Sequence, residues 1–193
     1  NLQKSKPKII IWDLEFRASQ NFKGHLRAHP GFLMCFGWKE YGSKQVNSIS
    51  SLTHPGKDPT DDKPLVKAIR AVLDDVDLHV LHYGLRCDIP FLQTRLQKYG
   101  LPLLPDPLNV IDTWKIAHQK LSMQSNSLAS LAEFYHLGEE KMRVPGETWF
   151  KAMAGVKSAL KVIEDRCKSD IRLTEEVYTK MLPLINQFPA LYR

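Results

Sequence analysis

Cysteine is scarce in this 193-residue chain, and its three cysteines form no pattern. Cys35, Cys87 and Cys167 are an odd number at wide spacing with no C-x-x-C pair, which argues against a disulfide framework and against a zinc site. Small buried thiols are expected instead. No apolar run approaches the roughly 20 residues that span a bilayer. The basic lead from Asn1 to Lys8 is followed by no signal-peptide core, because Asp13 and Glu15 interrupt the apolar stretch almost at once. The expectation is an intracellular protein, cytoplasmic or nucleoid-associated, with no membrane contact. No Gly-x-Gly-x-x-Gly or Gly-Lys-Ser/Thr loop occurs, so a nucleotide cofactor is not indicated. What is present is ordinary for a folded domain: 43% hydrophobic and 25% charged residues. Lys and Arg number 27 against 21 Asp and Glu, a net charge of +6 that allows a polyanionic partner without requiring one.

Periodicity places strands early and helices late. Lys8 to Phe16 reads as a buried strand; Phe32 to Gly42 and Lys44 to Leu52 read as a hairpin. Leu65 to Leu73 has the apolar spacing of an amphipathic helix, Leu78 to Tyr83 is a short strand, and Asp88 to Tyr99 is a helix ended by Gly100. Val110-Ile111 is a short strand before Asp112-Thr113, which caps a helix from Trp114. Helices near 127–135, 147–153 and 158–184 complete the chain. This order predicts an α/β fold, a mixed β-sheet flanked by helices, with residues 1–193 forming one domain. Trp38 and Trp114 are expected in the core.

Two carboxylates stand out at the end of the first strand. Asp13 and Glu15 are two apart, so they project from the same face and repel unless a cation lies between them. Solvent at the strand end is the alternative. Asp88 opens a helix after His82-Tyr83-Gly84-Leu85-Arg86-Cys87, and an Asp N-cap explains it equally well. Asp170 sits on a charged late helix, where a solvated acid is the simpler account.

Together the segments resemble the three motifs of the DEDD superfamily of 3′-5′ exonucleases, which has a ribonuclease-H-like fold, and are most similar to the proofreading type of family B DNA polymerases and its stand-alone relatives. Trp12-Asp13-Leu14-Glu15-Phe16 resembles the first motif, His82 to Leu92 the second, and Asp170-Ile171-Arg172-Leu173-Thr174 the third. Asp112-Thr113 and Asn126-Ser127-Leu128 resemble lesser landmarks of the family, and the likeness runs from Ile9 to about Leu184.

The resemblance implies a metal-dependent 3′-5′ exonuclease. Asp13, Glu15, Asp88 and Asp170 would be both the catalytic set and the ligands of two Mg²⁺ or Mn²⁺ ions. Such a pair, about 3.5–4 Å apart, stabilises charge on the attacking and leaving oxygens of a phosphodiester. The implied partner is nucleic acid with a free 3′ end, single-stranded DNA before RNA, with oligomerisation or a replication or repair partner supplying processivity.

Two departures qualify this. The family places a Tyr four residues, or a His five, before the last Asp to handle the attacking water; here those places hold Arg166 and Asp165. Arg166 suits a clamp on the scissile phosphate but not a base. Tyr83 stands where Asn is common and Cys87 where an aromatic is common. Phe16, His82, Tyr83 and Arg166 are therefore candidate substrate contacts, Tyr83 reading also as a strand aromatic. Trp149 and Phe150 are further stacking candidates, and Lys141, Arg143, Lys151, Lys157, Lys161, Lys168 and Arg172 make the C-terminal half basic. The competing class is a nucleic-acid-binding or structural module on the same fold, weak or inert because the base is missing.

Overall fold

Alternation along the first strand decides the layering. In the computed structural model, which describes residues 6–20, 26–138 and 141–185, β1 (Ile9–Gln20) turns Ile10, Trp12 and Leu14 toward one face. There they pack with Leu65, Val66 and Ile69 of α1 (Lys63–Val72) and Leu92 and Leu96 of α2 (Asp88–Tyr99). Ile11 enters the opposite cluster, with Leu160, Ile163, Cys167 and Ile171 of α6 (Lys157–Met181). A period of two then assigns Asp13 and Glu15 to the α6 face. The basic lead from Asn1 to Ser5 lies outside the described residues.

Five strands form one sheet in the order β3-β2-β1-β4-β5. β2 (Leu26–Glu40) and β3 (Asn47–Ser50) run antiparallel to their neighbours, whereas β4 (Leu78–Leu81) and β5 (Val110–Asp112) are parallel to β1 and to each other. The sheet is thus mixed and flanked by helices on both faces, as the order of elements leads one to expect. α3 (Thr113–Lys120) and α4 (Leu128–Phe134) pack Ala117, Leu128 and Leu131 against Leu173, Val177 and Met181 of α6. α5 (Gly146–Met153) joins the α6 side through Ala152.

The main departure from the sequence reading is the first hairpin. β1 continues to Gln20 and β2 begins at Leu26, where strands ending at Phe16 and starting at Phe32 are expected. The stretch Leu26 to Gly31 contains Pro30 and has little strand character; backbone pairing with β1 overrides that propensity. β3 covers β2 only from Cys35 to Trp38, so the missing N–H of Pro30 leaves no ladder bond unmade on that side.

Gly37 brings the sheet and α6 close together. It pairs directly with Asp13 across the β1–β2 ladder. A Cβ there would lie 2.4 Å from Ile171 Cδ1 and 2.9 Å from Cys167 Sγ, both on α6. The other face is locked by a buried ion pair. Asp62, just before α1, accepts from Arg95 Nε at 2.8 Å and Nη2 at 2.5 Å, from Tyr99 Oη at 2.5 Å and from the Leu33 N–H at 2.7 Å. One carboxylate therefore ties α1, α2 and β2 together.

Candidate metal and catalytic site

The four candidate carboxylates come from three elements. Asp13 and Glu15 lie on β1, Asp88 is the first residue of α2, and Asp170 lies in the middle of α6. The Leu14 N–H donates to Asp88 Oδ1 at 3.1 Å, which holds the start of α2 against β1. A β-bulge follows Glu15: Glu15 pairs with Cys35 but Phe16 with Leu33, so the strand is re-aimed just past the acids. Glu15, Asp88 and Asp170 are buried, while Asp13 is partly open. Carboxylate oxygens of Asp13 and Glu15 and the Cys167 sulfur all lie within 4.8 Å of one another. Cys167 was legible only as a buried thiol; its place beside the acids comes from α6 lying on Gly37.

Burial and mutual repulsion act on the set. Burial first, then the charges of Glu15, Asp88 and Asp170, push Asp13 well above the usual carboxylate range. Glu15 is raised to about 8, again chiefly by burial, with Arg166 opposing the shift and Asp170 and Asp88 reinforcing it. Asp88 rises to about 7 through burial, against the lowering effect of the Leu14 N–H. Asp170 Oδ1 is buried with no hydrogen-bond partner among the described residues.

Two cations face these acids. Arg166 bonds Glu15, and its Nη2 lies 3.3 Å from Asp170 Oδ2, one helical turn on. Its guanidinium also rests 5.3 Å from the Trp149 ring. Lys141 reaches Asp170 Oδ2 at 3.2 Å. Asp165 is elsewhere: it is exposed and pairs with Lys161 at 3.6 Å. Of the two residues in the family's base positions, only Arg166 faces the carboxylates.

The remaining candidate contacts divide. His82 Nδ1 lies 2.9 Å from Thr113 Oγ1, whose hydroxyl proton goes to the Leu81 carbonyl. Nδ1 must then be the donor, leaving Nε2 as the free lone pair. Burial, with help from Lys141, lowers His82 to about 4, so it is neutral at pH 7. Phe16 stacks on Phe91 with ring centroids 3.9 Å apart, so one face of its ring is already covered. Tyr83 is not a strand residue: β4 ends at Leu81, and Tyr83 is 38% exposed with φ 63°. That left-handed backbone suits Asn far better than an aromatic, which explains the family's preference at this place. Trp114, expected in the core, is only half-buried.

The matching family model, the RNase H superfamily, covers residues 24–182. The chain belongs to the RNase H superfamily. The matched span begins after β1, so Asp13 and Glu15 join the site through the structure and not through that match. Among matching solved structures is the family B DNA polymerase from the hyperthermophilic archaeon Pyrobaculum calidifontis, with a TM-score of 0.70 and 16% identity. The alignment covers 92% of this chain and 25% of the polymerase, a likeness of fold. A search of curated proteins finds no match.

RNase H-like nucleases generally use divalent metals, and the residues of this RNase H-like site suit such ions. Hard oxygen donors converge, repel one another, and leave one buried oxygen unpartnered. A thermal test follows. Between the unfolded and folded pKa values the folded state holds more protons, so stability falls as pH rises. The windows run from the ordinary value of 4.5 to about 8 for Glu15 and from 3.8 to about 7 for Asp88. In EDTA the Tm should fall from about pH 5 to about pH 8, with Mg²⁺ or Mn²⁺ restoring it most at the upper end. A metal response that is the same at both ends would contradict the repulsion.

Proposed function

We propose that this RNase H superfamily chain is a metal-dependent 3′-5′ exonuclease, a single catalytic unit acting on nucleic acid with a free 3′ end, with single-stranded DNA preferred to RNA. The observation that carries this reading is that Asp13, Glu15, Asp88 and Asp170, three of them buried, come from β1, α2 and α6 close enough for Asp88 and Asp170 to repel the charges of Asp13 and Glu15. These residues would hold two Mg²⁺ or Mn²⁺ ions, which supply Lewis-acid stabilisation to the charge building on the attacking and leaving oxygens. Arg166 and Lys141 add positive charge where a scissile phosphate would lie, and the aromatic Trp149 backs the guanidinium. Among the described residues, no helix is long and apolar enough to cross a membrane. Action inside the cell, with a replication or repair partner or a second copy of the chain, completes the proposal.

The test is degradation of matched 3′-labelled DNA and RNA strands with Mg²⁺, with Mn²⁺ and with EDTA. Metal-dependent shortening from the 3′ end supports the reading; cutting of a circular single strand would make the chain an endonuclease. One observation favours a second reading, a module that binds nucleic acid with little catalysis: Arg166 fills the base position and is engaged with two of the acids. General acid-base assistance contributes about 10²–10⁴-fold. Arg166→Tyr is therefore expected to speed cleavage by at least about tenfold. No gain would show that water is activated by some other group.

A further inference from the structure

One cluster of aromatic and cationic side chains takes no part in the acidic site. The Tyr83 ring meets Trp114 edge-on at 4.9 Å, and Trp114 stacks at 4.9 Å and 13° on His118, one helical turn along α3. The Arg86 guanidinium lies 5.6 Å from the Trp114 ring. Tyr83, Arg86 and His118 are exposed. The result is a layered step with a polar, cationic edge.

This step is constructed at a cost. A non-glycine residue at φ 63° is strained, and aromatics tolerate it poorly. Asp112, 4% exposed, holds the strained residue in place. Its Oδ1 accepts from the N–H groups of Tyr83 at 2.9 Å, Trp114 at 3.0 Å and Lys115 at 3.2 Å, and its Oδ2 from Leu85 at 3.0 Å. A single buried carboxylate thus fixes both sides of the step. The two segments, His82 to Cys87 and Thr113 to Lys120, contain no acidic residue, while Arg86, Lys115 and Lys120 add positive charge.

Position links the step to the carboxylates. Leu81 pairs with Asp112 and Val80 with Ile11, so the C-terminal ends of the parallel strands β4 and β5 lie level with each other and beside the part of β1 that carries Asp13. Ligands of open α/β sheets bind along that edge. Strands lie about 4.8 Å apart, which puts the start of α3 about 10 Å from β1, within reach of a few nucleotides. Arg86 also precedes Asp88 by two residues on the same turn.

We propose that Tyr83, Trp114, His118 and Arg86 form a stacking site for unpaired bases of a nucleic-acid strand whose 3′ end lies at the acidic set. The site rests on the nuclease reading and gives its choice of single strands a structural basis. Paired bases hide the faces that aromatic rings stack on, so a duplex gains nothing there. Each base stacked on an aromatic side chain is worth about tenfold or more in affinity.

Fluorescence anisotropy in EDTA measures binding without turnover. Trp114→Ala is expected to weaken a twelve-nucleotide single strand by about tenfold while leaving a dinucleotide and a blunt duplex unchanged. Trp114→Phe should restore most of the loss. Tyr83→Asn is the second variant, because Asn adopts the left-handed backbone readily and keeps the turn folded while removing the ring. Unchanged twelve-nucleotide affinity in both Trp114→Ala and Tyr83→Asn would overturn the proposal, as would an equal loss for the dinucleotide. The nuclease reading fails separately, if 3′-labelled strands stay intact in Mg²⁺ and Mn²⁺ while these binding losses persist.

Discussion

Asp13→Asn is expected to abolish metal-dependent shortening of a 3′-labelled strand and, in the same protein, to raise the Tm measured in EDTA. Both effects come from one charge. Asp13 sits among Glu15, Asp88 and Asp170, and its carboxyl is held well above its ordinary pKa by burial and by those neighbours. Asn keeps the shape and removes the charge, which relieves repulsion in the metal-free protein. It also removes a hard anionic oxygen from the set that would hold the ions. Stabilisation by such ions is worth several kcal/mol, and each 1.36 kcal/mol is about tenfold in rate, so a loss of about 10³-fold or more is expected. A variant that merely unfolds would lose activity with a lower Tm. Activity within about tenfold of the wild type would remove Asp13 from the catalytic set.

The largest effect on stability is expected far from that site. Asp62→Ala should cost about 3–5 kcal/mol, because it strands the Arg95 guanidinium, only 1% exposed, without its partner. It also leaves the Leu33 N–H and Tyr99 hydroxyl without their acceptor. At about 2–4 °C per kcal/mol for a chain of this size, Tm should drop by roughly 6–20 °C. Thermal denaturation at about pH 7 measures it. The double variant Asp62→Leu with Arg95→Met should recover much of the loss, since a buried pair replaced by apolar side chains is often neutral. A single-variant drop of under about 2 °C would show that the pair adds little.

The sequence showed the elements that carry strong periodic or capping signals. Leu65, Val66 and Ile69 mark α1, Asp112 caps α3 through its own side chain, and Gly100 ends α2 in a left-handed conformation. Asp13 and Glu15 were visible as a pair because their spacing matches the strand period. Asp88 and Asp170 had ordinary local explanations, and only the tertiary arrangement brings them near the first two. Arg95 with Asp62 went unseen, because nothing local distinguishes a buried arginine from a surface one. The length of the β1–β2 hairpin was missed for the opposite reason: the ladder is set by the backbone of two strands, and Leu26 to Gly31 carries little strand signal of its own. Trp114 was assigned to the core on residue type alone, although the fold leaves it half-buried beside Tyr83.

Gly37 gives the site a dimension that none of its acids determines. The contact at that point sets the bare backbone of β2 against the Ile171 and Cys167 side chains of α6, so a larger residue at position 37 would force those side chains to shift. Adding one methyl group would press on Ile171 Cδ1 and Cys167 Sγ, side chains on the stretch of α6 that carries Asp170 beside Asp13 and Glu15. Ion coordination tolerates displacements of only a few tenths of an ångström. The reach of the carboxylate cluster is therefore gauged by a residue with no side chain, on a strand that supplies none of its four acids.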